Sequence, residues 1–178
     1  MMRYILLLRG INVGGKNKVS MAVFKQQLSE SGFEDVASYL NSGNLFFTTD
    51  KPVEECKYAV EAILTTYDFN MTYILLDQEH YKRLLGDLPS WWSDDLARKD
   101  VLFLIDPEDF KRVKESIEAM NLYNELVHFS EGVVFWGKID EKEFLKTAYH
   151  KKLMKQDYYK RITIRNGKTF DKISSFIY

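Results

Sequence analysis

Cations, glycines and asparagines are concentrated in the stretch RGINVGGKNK, residues 9–18, which we call the glycine-rich loop. Glycines let backbone N–H groups approach a ligand closely, and a helix that begins just beyond them adds a dipole favourable to an anion. Arg9, Lys16 and Lys18 supply positive charge. The loop therefore predicts a binding site for the phosphate or carboxylate of a small anionic or nucleotide-like ligand, with Gly10, Asn12, Gly14 and Gly15 shaping it.

The loop also comes close to the G-x-x-x-x-G-K motif of nucleotide hydrolases, through Gly10, Gly15 and Lys16. Asn17 follows, where that motif needs a Ser or Thr hydroxyl to hold magnesium. A degenerate nucleotide hydrolase is therefore only an alternative, and no catalytic motif names a reaction. The three histidines lack zinc-ligand spacing and two of them, His80 and His150, are predicted to be solvated; we predict neither a metal nor a cofactor.

The elements that must position the loop begin with an apolar strand at residues 4–8, which is predicted to be buried on both faces. A helix capped by Ser20 and ended by Gly32 follows. Strands at residues 36–40 and 45–49 flank the polar turn Asn41–Asn44, and a helix after Pro52 leads to a strand at residues 71–76. Cys56 lies on the apolar face of that helix, which indicates a core residue rather than a reactive thiol.

The same β-α-β-β-α-β order of elements recurs after residue 99. Its second helix is predicted to start at a capping box formed by Asp140 and Glu143, and a final helix follows the strand at residues 162–165. The predicted fold is α+β, with two tandem ferredoxin-like halves packed as one compact unit, a connecting helix and a C-terminal helix. The predicted divisions are residues 1–77, a tryptophan-containing junction at 78–99, and residues 100–178.

In a ferredoxin-like half the strands have the spatial order 4-1-3-2, so the first loop and the central hairpin emerge at the same end of the sheet. The glycine-rich loop and the turn residues Ser42, Gly43 and Asn44 are therefore predicted to lie side by side. The segment Arg165–Thr169, which includes Asn166, lies at the opposite end of its own half. It reaches the loop only if the halves pack in inverted orientation, which is a hypothesis.

Three other interpretations stay open for these polar loops. Asn12, Asn41 and Asn44 could bind only each other's backbone, which would make the loops purely structural. RNA could bind through the basic loops, although the strands offer no aromatic stacking face. The pair Trp91-Trp92 could mark a protein-interaction scaffold, although such a pair more often packs at a seam between two halves.

The composition, 46% hydrophobic and 29% charged residues, is that of a globular protein and excludes disorder. One cysteine allows no internal disulfide and indicates a reducing compartment. No apolar run reaches the length of a signal core or a membrane span. These features predict a cytoplasmic protein without a membrane partner, and they leave its oligomeric state open.

The segments LLRGINVGGKNKVSM, GFEDVASYLNSGNLFF and TIRNGKT, with Lys172 beyond, together resemble the bacterial domain-of-unknown-function 1697 family. The resemblance spans essentially the whole chain and implies an α+β protein of two ferredoxin-like halves, with no reaction attached. The family's motif positions carry over to Arg9, Gly10, Asn12, Gly14, Gly15, Ser42, Gly43, Asn44, Arg165, Asn166, Thr169 and Lys172. The family often has tryptophan after the tail asparagine, where this chain has Gly167.

Overall fold

The computed structural model describes residues 1–178, and the chain forms two compact units. The first unit comprises Met1–Lys82 together with Ile173–Tyr178, and the second comprises Arg83–Lys172. The last six residues of the chain therefore group with the first unit, a grouping that no sequence pattern indicates.

The first unit contains a four-stranded antiparallel sheet with the strand order β2-β3-β1-β4. Its strands and helices are β1 (Met2–Arg9), α1 (Met21–Glu30), β2 (Glu34–Tyr39), β3 (Asn44–Thr49), α2 (Val53–Leu64) and β4 (Thr72–Asp77), and α3 (Gln78–Gly86) begins in this unit. In the centre of the sheet, Leu6 of β1 lies opposite Leu45 of β3 and Leu75 of β4.

Burial of β1 on both faces is confirmed, because every residue from Tyr4 to Leu8 is buried. The apolar face of α1, with Phe24 and Leu28, packs in the same core as Cys56 and Val60 of α2. The thiol of Cys56 is fully buried, and this burial raises its pKa. Cys56 is therefore a core residue, as predicted.

The second unit contains another four-stranded antiparallel sheet, with the order β6-β7-β5-β8. Its main elements are β5 (Arg98–Leu104), α4 (Phe110–Glu118), β6 (Glu125–Ser130), β7 (Val133–Lys138), the short α5 (Ala148–Lys151), β8 (Ile162–Asn166) and α6 (Gly167–Ile173). The fold is thus α+β with two antiparallel sheets, and each sheet has the spatial order 4-1-3-2 expected from the sequence.

The prediction of a single helix after Asp140 is wrong. Residues Glu141–Lys146 form a 3-10 helix, Thr147 is extended, and α5 has only four residues before further 3-10 turns lead to β8. The capping box does not close, because the Glu143 carboxylate accepts a hydrogen bond from Asn124 Nδ2 at 2.7 Å. The buried Glu125 carboxylate instead accepts the first two N–H groups of α5, at 2.9 and 3.0 Å, and so fixes this irregular path.

Trp92 belongs to the core of the second unit, where its ring meets Phe135 and Phe170 edge-on. Trp91 packs so closely over Gly137 that a Cβ there would lie 2.9 Å from the Trp91 ring. His80 and His150 are half-buried rather than solvated, and the Nδ1 atom of His150 is buried without a hydrogen-bond partner.

Candidate anion-binding site

The tip of the glycine-rich loop is a tight turn over residues 13–16. The N–H of Lys16 donates to the carbonyl of Val13 at 3.0 Å, and Gly14 and Gly15 have φ values of 58° and 75°. Two successive positive φ values define a type I′ turn, which favours glycine at both positions. A Cβ at either glycine would meet open space. Backbone conformation, rather than packing, therefore requires these glycines.

Asparagine side chains fix the rest of the loop. Asn12 Nδ2 donates to the carbonyls of Val19 at 3.0 Å and Asn41 at 2.6 Å, and Asn12 Oδ1 accepts from the Val19 N–H at 2.8 Å. Asn17 Nδ2 donates to the Gly10 carbonyl at 3.0 Å. Asn12 and Asn17 both have positive φ, which asparagine tolerates better than most residues. The loop backbone is therefore held in one conformation by its own side chains.

The hairpin turn between β2 and β3 lies beside this loop, as predicted. Besides the bond from Asn12 to Asn41, the Leu8 N–H donates to the Gly43 carbonyl at 2.9 Å. Gly43 has a φ of 88°, and a Cβ on it would lie 2.6 Å from Leu8 Cβ. Asn44 is fully buried and donates to the Tyr39 carbonyl at 2.8 Å and the Ser42 hydroxyl at 3.0 Å. Close packing and backbone conformation together leave room only for glycine at position 43.

An open depression lies between the glycine-rich loop and the start of α1. Asn12, Gly15, Lys18, Ser20 and Asn41 are among the residues that line it. Lys16 and Lys18 are exposed, and neither ammonium group has a partner in the protein. The positive end of the α1 dipole faces the same region, so charge and backbone favour an anion here. Arg9, at the end of β1, is half-buried.

The loop geometry differs from that of a nucleotide-hydrolysing phosphate loop. In that motif the helix starts at the lysine, and successive N–H groups surround the phosphates. Here α1 starts at Met21, five residues after Lys16, and the Lys16 N–H is used inside the turn. The arrangement can offer lysine side chains and the exposed side of a turn, but not an N–H cradle formed by a helix start at Lys16.

The predicted site residues between positions 165 and 172 belong to the second unit. Asn166 Oδ1 accepts from the Thr169 N–H at 2.8 Å and so caps α6, and Thr169 is buried. Arg165 is buried at the end of β8 and donates to the Ile164 carbonyl, whereas Lys172 is exposed. Asn166 also lines a cleft of this unit together with residues 94–100, Gly167, Lys168 and Asp171.

A buried charged cluster in the second unit has no counterpart in the sequence predictions. Lys138, which is 1% exposed, donates to Asp100 at 2.9 Å, and its Nζ lies 3.4 Å from the centre of the Tyr149 ring. Burial lowers the pKa of Lys138, and the neighbouring Asp100 partly opposes this shift. The nearby Glu125 carboxylate accepts the indole N–H of Trp136 at 3.1 Å. Charged residues near strand ends are normally exposed, so the pattern gave no signal for this cluster.

Comparison with protein-family models matches residues 1–135 to a family described as a protein of unknown function, DUF1697. The chain belongs to this family. Among solved structures, the conserved bacterial protein SP0830 from Streptococcus pneumoniae is 46% identical, and the match covers 99% of each chain with a TM-score of 0.93. Comparison with curated proteins gives no match.

Two further observations concern metal ions and membranes. No group of three or more His, Cys, Asp or Glu side chains is arranged to hold a metal ion. None of the helices combines the length and the apolar character needed to cross a bilayer.

Proposed function

We propose that the first unit binds the phosphate or carboxylate of a small anionic or nucleotide-like ligand in the depression beside the glycine-rich loop. The observation that carries the proposal is that the loop's asparagines are hydrogen-bonded within the protein, whereas its lysines are not. Asn12 and Asn17 are bonded to the loop backbone, whereas Lys16 and Lys18 extend into solvent without a partner. Because the loop backbone is already held, only the lysine side chains lose conformational freedom when an anion binds.

The openness of the depression limits the affinity that such a site can reach. An exposed ion pair contributes up to about 1 kcal/mol, because water screens it. Two lysines, a helix dipole and a hydrogen bond or two then supply at most roughly 4 kcal/mol, which corresponds to a dissociation constant of about 1 mM or weaker for a single phosphate. We therefore expect ligands with two or more phosphates to bind more tightly than inorganic phosphate.

Thermal unfolding in the presence of pyrophosphate, ATP, sugar phosphates and a short single-stranded RNA tests the proposal. A ligand present at 100 times its dissociation constant stabilises the folded state by about 2.7 kcal/mol, which raises the Tm by several degrees in a protein of this size. The double variant Lys16→Gln/Lys18→Gln, if it binds about tenfold more weakly, should keep only about 1.4 kcal/mol of this stabilisation and so about half of the Tm shift. Lys111→Gln, which neutralises an exposed lysine of α4, should keep the whole shift.

RNA binding is the second candidate, and the openness of the depression favours it, since an extended phosphate backbone needs no enclosed pocket. Each phosphate neutralised on a single strand contributes a slope of about −0.7 to the logarithm of the binding constant against the logarithm of salt. Two lysines then predict a slope of roughly −1.4. If the binding constant for RNA does not change with salt while pyrophosphate still raises the Tm, the site binds a small anion rather than RNA.

Two weaker alternatives remain as proposals with their own tests. Purely structural loops in an interaction scaffold are supported by the bonds of Asn12 and Asn44 to backbone carbonyls, and they predict that no anion shifts the Tm. A degenerate nucleotide hydrolase predicts release of phosphate from ATP with magnesium, which the loop geometry supports least.

We also propose that both units are ferredoxin-like and arose by duplication in a cytoplasmic protein. The shared strand order supports this proposal, whereas the divided helical segment between β7 and β8 is its weakest point. Superposition of residues 2–77 on 98–166 in a crystal structure tests the likeness, and cell fractionation tests the location.

A further inference from the structure

We propose that a cleft in the second unit binds a small zwitterion, a molecule such as an amino acid that carries both an ammonium group and a carboxylate. The cleft, which we call the β5–α6 cleft, lies where β5 begins and β8 leads into α6. Its volume of about 420 Å³ suits a small molecule. The proposal is independent of the anion site beside the glycine-rich loop, since every residue that lines the cleft belongs to the second unit.

The wall of the β5–α6 cleft includes a buried carboxylate that has one unused oxygen. Asp100 is only 3% exposed, and its Oδ2 accepts from Lys138 Nζ at 2.9 Å, whereas no group of the protein donates to its Oδ1. The buried side-chain atoms without any partner are His150 Nδ1 and Thr163 Oγ1, so Asp100 Oδ1 keeps access to solvent through the cleft that Asp100 lines. A donor that enters the cleft can therefore bond this oxygen, and a charged ammonium group forms the stronger kind of bond.

A hydrogen-bond donor lies opposite this acceptor. Asn166 of β8 is the partner of Asp100 in the sheet register, so the two side chains emerge on the same face. The Thr169 N–H donates to Asn166 Oδ1 at 2.8 Å, which fixes the side-chain amide and leaves its Nδ2 as a donor without a partner. No hydrogen bond joins Asn166 to Asp100, so each side chain can bond a different end of one ligand.

The exposed charges around the β5–α6 cleft divide in the same way. Asp94 and Asp95, which precede β5, are exposed, and neither carboxylate has a partner in the protein. Lys168, which follows Asn166 at the start of α6, is also exposed and unpaired. The β5 part of the cleft therefore offers carboxylates to an ammonium group, and the α6 part offers an ammonium group and an amide N–H to a carboxylate.

The other charged side chains of the cleft are engaged within the second unit. The Asp171 carboxylate accepts the indole N–H of Trp92 at 2.9 Å, and the Lys99 ammonium group donates to the carbonyl of Trp92. The Arg98 guanidinium lies over the Phe144 ring, 5.3 Å from its centre. The unpaired acceptors and the unpaired donors therefore remain for a ligand. A simple cation or a simple anion pairs with only one of these two sets, whereas a zwitterion pairs with both.

NMR titrations of the full-length protein at pH 7 with glycine, 4-aminobutanoate and 6-aminohexanoate test the proposal, because these zwitterions differ in the distance between their two charges. At least one of them should shift the amide resonances of residues 94–100 and 166–171. The amine and the carboxylate of matching chain length, such as butylamine and butanoate for 4-aminobutanoate, should bind about tenfold more weakly, because each leaves one set of groups unpaired. No shift with any of the three zwitterions, or equal binding by a singly charged analogue, overturns the proposal.

Two variants test the donors of the cleft with the zwitterion that binds best. Asn166→Asp keeps an oxygen that accepts the Thr169 N–H but puts a carboxylate in place of the Nδ2 donor, so the Tm should hold while binding weakens about tenfold. Lys168→Gln removes an exposed lysine that no protein group uses, so it should weaken binding about threefold without affecting folding. The control Lys111→Gln, on α4, should leave binding unchanged. Unchanged affinity in either Asn166→Asp or Lys168→Gln overturns the proposal.

Discussion

The side-chain amide of Asn12 donates a hydrogen bond to the main-chain carbonyl of Asn41, with 2.6 Å between the two heavy atoms. This one bond joins the glycine-rich loop to the β2–β3 hairpin. The same Asn12 side chain also closes the loop on Val19 through a second donated bond and one accepted bond. Asn12 therefore fixes the backbone of the loop from which the Lys16 and Lys18 side chains extend.

Asn12→Ala should lower the free energy of unfolding by about 1–3 kcal/mol, because it leaves the Val19 N–H and the Asn41 carbonyl without their partner. Asn41→Ala should change it by less than about 0.5 kcal/mol, since the main-chain carbonyl that Asn12 uses is retained. Urea denaturation of both variants measures the difference. Equal losses in the two variants would contradict the assignment of Asn12 as the clamp.

Gly14 and Gly43 both have positive φ but should respond differently to alanine. Gly14→Ala adds a Cβ in open space, so only the left-handed backbone penalises it, by about 1 kcal/mol. Gly43→Ala adds the same penalty and also forces a Cβ to 2.6 Å from Leu8 Cβ, so its loss should be clearly larger. Chemical denaturation ranks the two, and an equal loss would mean that the hairpin does not approach β1 as closely as described.

The contacts of Asn12 show how much of the candidate site could be predicted from the sequence. Topology alone predicted that the loop and the hairpin meet, because strands one and three of a β-α-β-β-α-β unit are neighbours. It could not say that the Asn12 side chain bridges them, since an asparagine suits both a binding site and a turn. The prediction of a helix after Asp140 was wrong for a related reason. The capping pattern was present, but the Glu143 carboxylate accepts a hydrogen bond from Asn124 instead of the bond that the cap requires.

The Lys138–Asp100 pair gives a prediction that the sequence did not suggest. Lys138→Met should destabilise the protein by about 3–5 kcal/mol, because the buried Asp100 carboxylate loses its partner. The double variant Lys138→Met/Asp100→Leu should regain much of that loss, since no unpaired charge remains. A double variant less stable than the single one would show that the pair contributes more than the cost of burying it.

The pair of Asp109 and Arg161 predicts a pH dependence. The hydrogen bond from Arg161 Nε, 2.7 Å long, lowers the pKa of Asp109 below its ordinary value of 3.8. Its contribution to stability is therefore complete above pH 3.8 and is lost as the pH falls through the lower, folded-state pKa. Arg161→Gln should therefore lower the stability at pH 7 and have almost no effect once the pH is below the folded-state pKa of Asp109; because the pair is partly exposed, the loss should be small. Urea denaturation across this range measures it, and a constant difference would contradict the assignment.

The measurement that tests the central proposal most directly is a pyrophosphate titration of the wild-type protein, followed by heteronuclear NMR. We expect chemical-shift changes confined to residues 12–22 and 41–44 in the wild type and in Lys111→Gln. The double variant Lys16→Gln/Lys18→Gln should bind about tenfold more weakly, in line with the loss of two exposed ion pairs. Shift changes elsewhere, or unchanged affinity in the double variant, would contradict an anion site at the glycine-rich loop.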